Sequence, residues 1–172
     1  MGIKQFKQQN GFTLVELIAV VAIISMIAVY ITIEINQSSD DAKIGLATAF
    51  LTSNVPSAIS SYRARHLSSC VTMVNPENNG DDLDGDGVVT VKDLLMARGL
   101  ASTTPWADEW EATFDNATRE ITLVFPLTGT NAGDVAAALT SNLENRSQIV
   151  SIDNGLDENA TSGDITIVYS CS

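Results

Sequence analysis

Basic residues are scarce in this sequence. Nine Lys+Arg stand against 21 Asp+Glu, giving a formal net charge of −12. Such a chain repels a phosphate backbone, and it carries no basic patch, so direct nucleic-acid binding is not expected. One histidine, His66, and two cysteines, Cys70 and Cys171, are too few ligands for a zinc site of the usual kind. The G-x-S-x-G, P-loop, H-E-x-x-H and dinucleotide fingerprints are all missing, so no enzyme is expected. The 172 residues amount to one ordinary domain with room for an appendage.

Apolar residues are plentiful but unevenly spread. Residues 17–33 read LIAVVAIISMIAVYITI, without a charge. That is at the low end for a membrane-spanning helix, and taking in residues 12–15 lengthens it to about 22 while enclosing Glu16. A carboxylate at membrane depth costs roughly 2.5–3.5 kcal/mol on insertion scales and needs a reason to exist. Residues 1–11, MGIKQFKQQNG, carry Lys4 and Lys7 and no acid. Positive charge there holds that end in the cytoplasm and sends the rest outward. A secretory signal would show a small-residue cleavage site after the apolar run, where this chain has EINQSSDDAKIG. A plain single-pass anchor fits the run but leaves Glu16 unexplained.

Gly11-Phe12-Thr13-Leu14-Val15-Glu16 resembles the processing motif of type IV pilins and pseudopilins. The shared features are a short basic leader ending in glycine, then phenylalanine, then glutamate at the fifth mature position, then an apolar helix. The resemblance implies that a prepilin peptidase cuts between Gly11 and Phe12 and methylates the new amine. It divides the chain into a leader (1–11), a hydrophobic transmembrane and filament-core helix (12–36) and a globular head (37–172). The helix would rest in the inner membrane until the assembly machinery draws the subunit into an extracellular filament. There it would pack against other pilin subunits, copies of itself or minor pilins. The resemblance further implies that Glu16 meets the Phe12 amine of a neighbouring subunit, since a buried carboxylate needs a charged partner. The alternative is that Glu16 reaches the headgroup region and pairs with nothing.

Beyond Glu34 the pattern turns amphipathic. Ile44, Ala47, Leu51, Val55, Ile59 and Tyr62 recur at steps of three and four, which places them on one helical face. One long helix is expected over roughly residues 12–66, its second half under a sheet. Pro56 removes a hydrogen bond there and predicts a kink or break. His66 is expected on the solvated helix end.

Residues 82–93 spell Asp82-Leu-Asp84-Gly-Asp86-Gly87, then five residues, then Asp93. This is the EF-hand calcium-loop pattern with Asp in place of the closing Glu, and it resembles dockerin loops. Calcium takes six to eight oxygens. Asp82, Asp84 and Asp86 converge because alternate residues of a tight loop point inward, and Gly87 permits the sharp turn. The expected further ligands are the Val88 carbonyl, Thr90 directly or through water, and Asp93 from the start of a helix over 91–98. Val89 would anchor the loop to the domain. The competing reading is a solvated acidic turn in which Thr90 and Asp93 form a capping box.

A sheet follows. Trp110–Phe114 and Glu120–Phe125 read as a hairpin, with Ile121, Leu123 and Phe125 on one face. A short helix over 133–143, a strand over 148–153, a polar loop over 153–163 and a strand over 164–171 complete the chain. Ile165, Ile167, Tyr169 and Cys171 alternate inward. Trp106 and Trp110 are core residues, sharing a helical face or anchoring a strand, or else a stacking platform. The fold class is α+β, a long N-terminal helix packed on a small antiparallel sheet, as in pilins.

Cys70 and Cys171 are either a disulfide or two buried thiols. A position outside the inner membrane favours oxidation, and the resemblance implies a disulfide near the C-terminus. Three N-x-[ST] sequons, at Asn116, Asn145 and Asn159, are read as accidental. Taken together, these features point to a structural subunit of a pilus, serving adhesion, motility or DNA uptake. A type II secretion pseudopilin is the near alternative. A membrane-anchored, calcium-dependent binding module with a cohesin-type partner is the distant one.

Overall fold

The computed structural model describes residues 13–171, with the side chains of 33–38 left aside. The chain divides into two compact units, residues 1–39 and 40–172. The first helix, α1, runs Leu14–Ala49. Its segment Leu14–Thr32 is long and apolar enough to cross a membrane. At 1.5 Å per residue, 19 residues reach about 28 Å, close to a hydrocarbon core of about 30 Å. Every residue from 13 to 32 is exposed, so this apolar surface has no partner within its own unit. Ser25 and Thr32 return their hydroxyl protons to the carbonyls of Val21 and Ala28, which leaves neither hydroxyl unsatisfied in an apolar surrounding.

The second unit builds its core on the amphipathic stretch expected from the sequence. Ala47, Leu51, Val55, Ile59 and Tyr62 are buried and Ile44 is half-buried. The helix does not continue as α-helix through this stretch. Residues Phe50–Asn54 form a π-helical turn, and α2 then runs Val55–Arg65 with Pro56 in its first turn. The helix does not break at Pro56, since the α-helical, π-helical and α-helical segments follow one another without a gap. Widening the register is a third way to absorb a missing N–H and a ring clash. Here the Val55 amide bonds to the Phe50 carbonyl, five residues back. The Leu51 carbonyl would then look to residue 56, a proline without an N–H. The hydroxyl of Tyr169 donates to it instead, at 2.9 Å, from the last strand. Burial pushes the Tyr169 phenol well above its ordinary pKa, so it remains a donor.

The sheet has four antiparallel strands in the order β1-β2-β4-β3. They are β1 (Glu111–Asp115), β2 (Glu120–Thr128), β3 (Ile149–Asn154) and β4 (Ser162–Ser170). Short α3 (Val91–Met96) precedes the sheet, and α4 (Ala132–Leu143) links β2 to β3. Strand β2 outruns the expected Phe125 through Pro126, a residue that argues against a central strand. The reason it fits is that β1 begins opposite Val124, so residue 126 has no β1 partner on that side, while on its other side it pairs with Asp164 of β4. Strand β4 likewise begins at Ser162, inside the expected polar loop, because Gly163 and Ser162 pair with Leu127 and Thr128. Helix α3 stops at Met96 rather than 98, giving way to a turn at Gly99 with φ +97°.

The inward face holds Ile121, Leu123, Phe125, Ile165, Ile167, Tyr169 and Cys171, all buried as the alternation requires. Trp110 is fully buried just before β1, and its indole N–H donates to the Ala101 carbonyl at 2.8 Å. Phe50 packs edge-on to it at 5.8 Å, so Trp110 anchors a strand start rather than sharing a helical face with Trp106. Trp106 is half-buried and meets Phe125 edge-on. His66 closes α2 with its ring stacked on Tyr62 at 4.1 Å. Cys70 and Cys171 form a disulfide with Cα atoms 6.2 Å apart, joining the segment after α2 to the end of β4.

Candidate functional site

Two places bear on function, the start of α1 and the acidic loop before α3. At the first, the expected cleavage site and the Phe12 amine lie outside the described residues. Glu16 is described, and it takes a partner that neither sequence alternative named. Its carboxylate accepts from the amide and the hydroxyl of Thr13, both at 2.9 Å, while the Glu16 amide donates to the Thr13 hydroxyl at 3.3 Å. This is a reciprocal capping box. The T-x-x-E spacing of Thr13 and Glu16 is the sequence signal of this box.

The acidic loop is folded by its own carboxylates. Asp82 accepts from the amides of Gly85 at 2.7 Å and Gly87 at 2.9 Å. Asp86 accepts from Val88 at 2.7 Å, and Asp84 from Asp86 at 3.3 Å. Gly87 has φ +90°, a backbone state that a side chain would disfavour. These turns bring Asp82, Asp84 and Asp86 together, each offering a carboxylate oxygen within 4.8 Å of the others. The group is one that could hold a metal ion.

Asp93 has a different position. It is buried at the third position of α3 and forms the expected capping box with Thr90. Its Oδ1 accepts from the amides of Leu83 at 2.8 Å and Asp84 at 3.3 Å. Its Oδ2 accepts from the Thr90 amide at 2.8 Å and hydroxyl at 2.9 Å. Four donors meet a carboxylate with about four lone-pair sites. Burial alone would raise the Asp93 pKa, but the Thr90 and Leu83 amides outweigh it and hold the group below its ordinary value. Asp93 thus staples the two ends of the loop together. Val88 is exposed at the loop tip, and half-buried Val89 lies close to Gly80.

A lysine that the sequence reading passed over enters the loop. The Lys92 ammonium sits 2.8 Å from Asp84 Oδ2 and 3.1 Å from a carboxylate oxygen of Glu109. The hydrogen bond from Lys92 holds the Asp84 carboxyl below its ordinary pKa. Burial acts to lower the Lys92 pKa, but its bonds to Asp84 and Glu109 prevail and raise it. Position 11 of a loop pattern that specifies only acids and a glycine gives no signal that its residue points inward.

Residues 6–32 match the family model for the prokaryotic N-terminal methylation motif. No curated protein and no solved structure matches the chain. The matched motif and the apolar helical segment it contains support a precursor of type IV pilin or pseudopilin kind, anchored in a membrane before assembly.

Proposed function

We propose that this chain is a structural, non-catalytic subunit of a type IV pilus, processed between Gly11 and Phe12 by a prepilin peptidase. The observation that carries this reading is the match to the methylation motif over residues 6–32, a stretch that includes the exposed apolar helical segment Leu14–Thr32. An apolar segment whose described residues 13–32 are all exposed needs lipid before assembly and other helices after it. The filament core supplies those helices from neighbouring pilin subunits, and the head forms the outer surface that serves adhesion, motility or DNA uptake. Glu16 then has two successive partners, the Thr13 hydroxyl and amide within one chain and the Phe12 amine of a neighbour in the fibre.

The head carries a calcium clip in this reading. Asp82, Asp84 and Asp86 supply carboxylate oxygens, and the Val88 carbonyl and Thr90 complete the near side. Asp93 contributes by releasing one of its backbone donors or through a water. Hard oxygen ligands in a flexible loop suit calcium. The ion adds rigidity between the long helix and the sheet. The same acidic loop also suits a type II secretion pseudopilin, and the two readings part on where the processed chain accumulates.

Glu16→Ala tests the assembly role. The variant should be processed normally yet yield few surface filaments. Wild-type filament yield from Glu16→Ala would refute the pairing role.

A further inference from the structure

The acidic loop contains its own cation. Of the loop's four aspartates, Asp82, Asp86 and Asp93 accept from backbone amides. Asp84 differs in having a charged partner. The Lys92 and Asp84 side chains are each 6% exposed, whereas Glu109, the second partner of Lys92, is 70% exposed. Asp84 thus belongs both to the acidic group with Asp82 and Asp86 and to an enclosed ion pair with Lys92. A buried carboxylate without a counter-charge is strongly unfavourable, and removing one partner of such a pair costs more than removing both.

We propose that Lys92 is a positioning residue that stands in for part of the charge of the bound metal, so that the loop keeps its shape whether or not the ion is present. This rests on the calcium reading of the loop. Its ammonium holds Oδ2 of Asp84, while Oδ1 accepts from the Asp86 amide. It also carries the loop's position to Glu109, at the approach to β1, where Thr103 and Glu109 form a β-bridge. The same positive charge opposes an incoming divalent cation, which lowers affinity. Lys92 thus exchanges tight binding for a head that stays folded when calcium is low.

The test uses the full chain in detergent micelles, with calcium titrated calorimetrically and melting followed by tryptophan fluorescence in EGTA and in calcium. Lys92→Met should melt several degrees below wild type in EGTA, recover in millimolar calcium, and bind calcium about tenfold tighter, as expected for losing a nearby positive charge. The double variant Asp84→Asn with Lys92→Met removes both charges and should regain most of the stability lost in EGTA. Lys92→Met melting like wild type in EGTA, or binding calcium no more tightly, would overturn the role of Lys92 and leave the calcium reading standing. A double variant as unstable as Lys92→Met would also overturn it, because the lysine stem rather than its charge would then matter. Wild type that takes up no calcium would remove the calcium reading and this inference with it.

Discussion

Tyr169→Phe removes one oxygen and leaves the ring in place, which isolates a single hydrogen bond. That bond runs from the Tyr169 hydroxyl to the Leu51 carbonyl across a sequence separation of 118 residues. In the π-helical turn at Phe50–Asn54 the carbonyl of residue 51 has Pro56 as its five-residue partner, and proline has no N–H to give. Leu51 and Tyr169 are both fully buried, so water cannot substitute for the lost donor. Leaving a buried carbonyl unsatisfied costs about 1–3 kcal/mol. For a domain of this size that corresponds to a fall in melting temperature of about 3–10 °C. Trp106 and Trp110 both lie in the unit 40–172, so tryptophan fluorescence in urea reports this unit alone. Pro56→Ala restores an N–H at residue 56. In that background Tyr169→Phe should cost less than in wild type, with a coupling energy of about 1 kcal/mol in the double-mutant cycle. Equal costs in the two backgrounds would show that Tyr169 does not compensate for Pro56.

Replacing both cysteines by serine opens a loop closed over 101 positions and should lower unfolding free energy by about 2–5 kcal/mol. Equilibrium unfolding in urea checks this, and a loss under about 1 kcal/mol would mean that the bond constrains little. Gly133 admits the segment after β3 to the start of α4, where its amide donates to the Ala160 carbonyl at 3.1 Å. An added Cβ would meet the Asp157 carbonyl and stand 2.6 Å from that of Glu158, both backbone atoms. Gly133→Ala should therefore destabilise the head by about 1–3 kcal/mol, and a melting temperature equal to wild type would show that this loop yields freely.

Much of the fold was legible in the sequence because periodicity reports burial. The steps of three and four from Ile44 to Tyr62 marked the buried helix face, and the alternation from Ile165 to Cys171 marked the inward strand face. What escaped was set by partners far along the chain. Pro56 announced a disturbance, but a π-turn is viable there because Tyr169 waits on β4. The extension of β2 through Pro126 is tolerated because pairing with β1 reaches only Val124. At the acidic loop the convergence of Asp82, Asp84 and Asp86 followed from spacing. The use of Asp93 as a fully engaged staple did not, since its donors at Leu83 and Asp84 come from the opposite end of the loop. Lys92 was invisible because a lysine in the first turn of a helix is ordinarily solvated. Only the fold turns it onto Asp84 and Glu109.

The central claim is that this is a processed filament subunit, and the most direct measurement is the intact mass and N-terminal sequence of protein sheared from the cell surface. The account predicts abundant chains that begin at N-methylated Phe12 and lack Lys4 and Lys7. Chains that retain the first eleven residues, or that are not found outside the cell envelope, would contradict it.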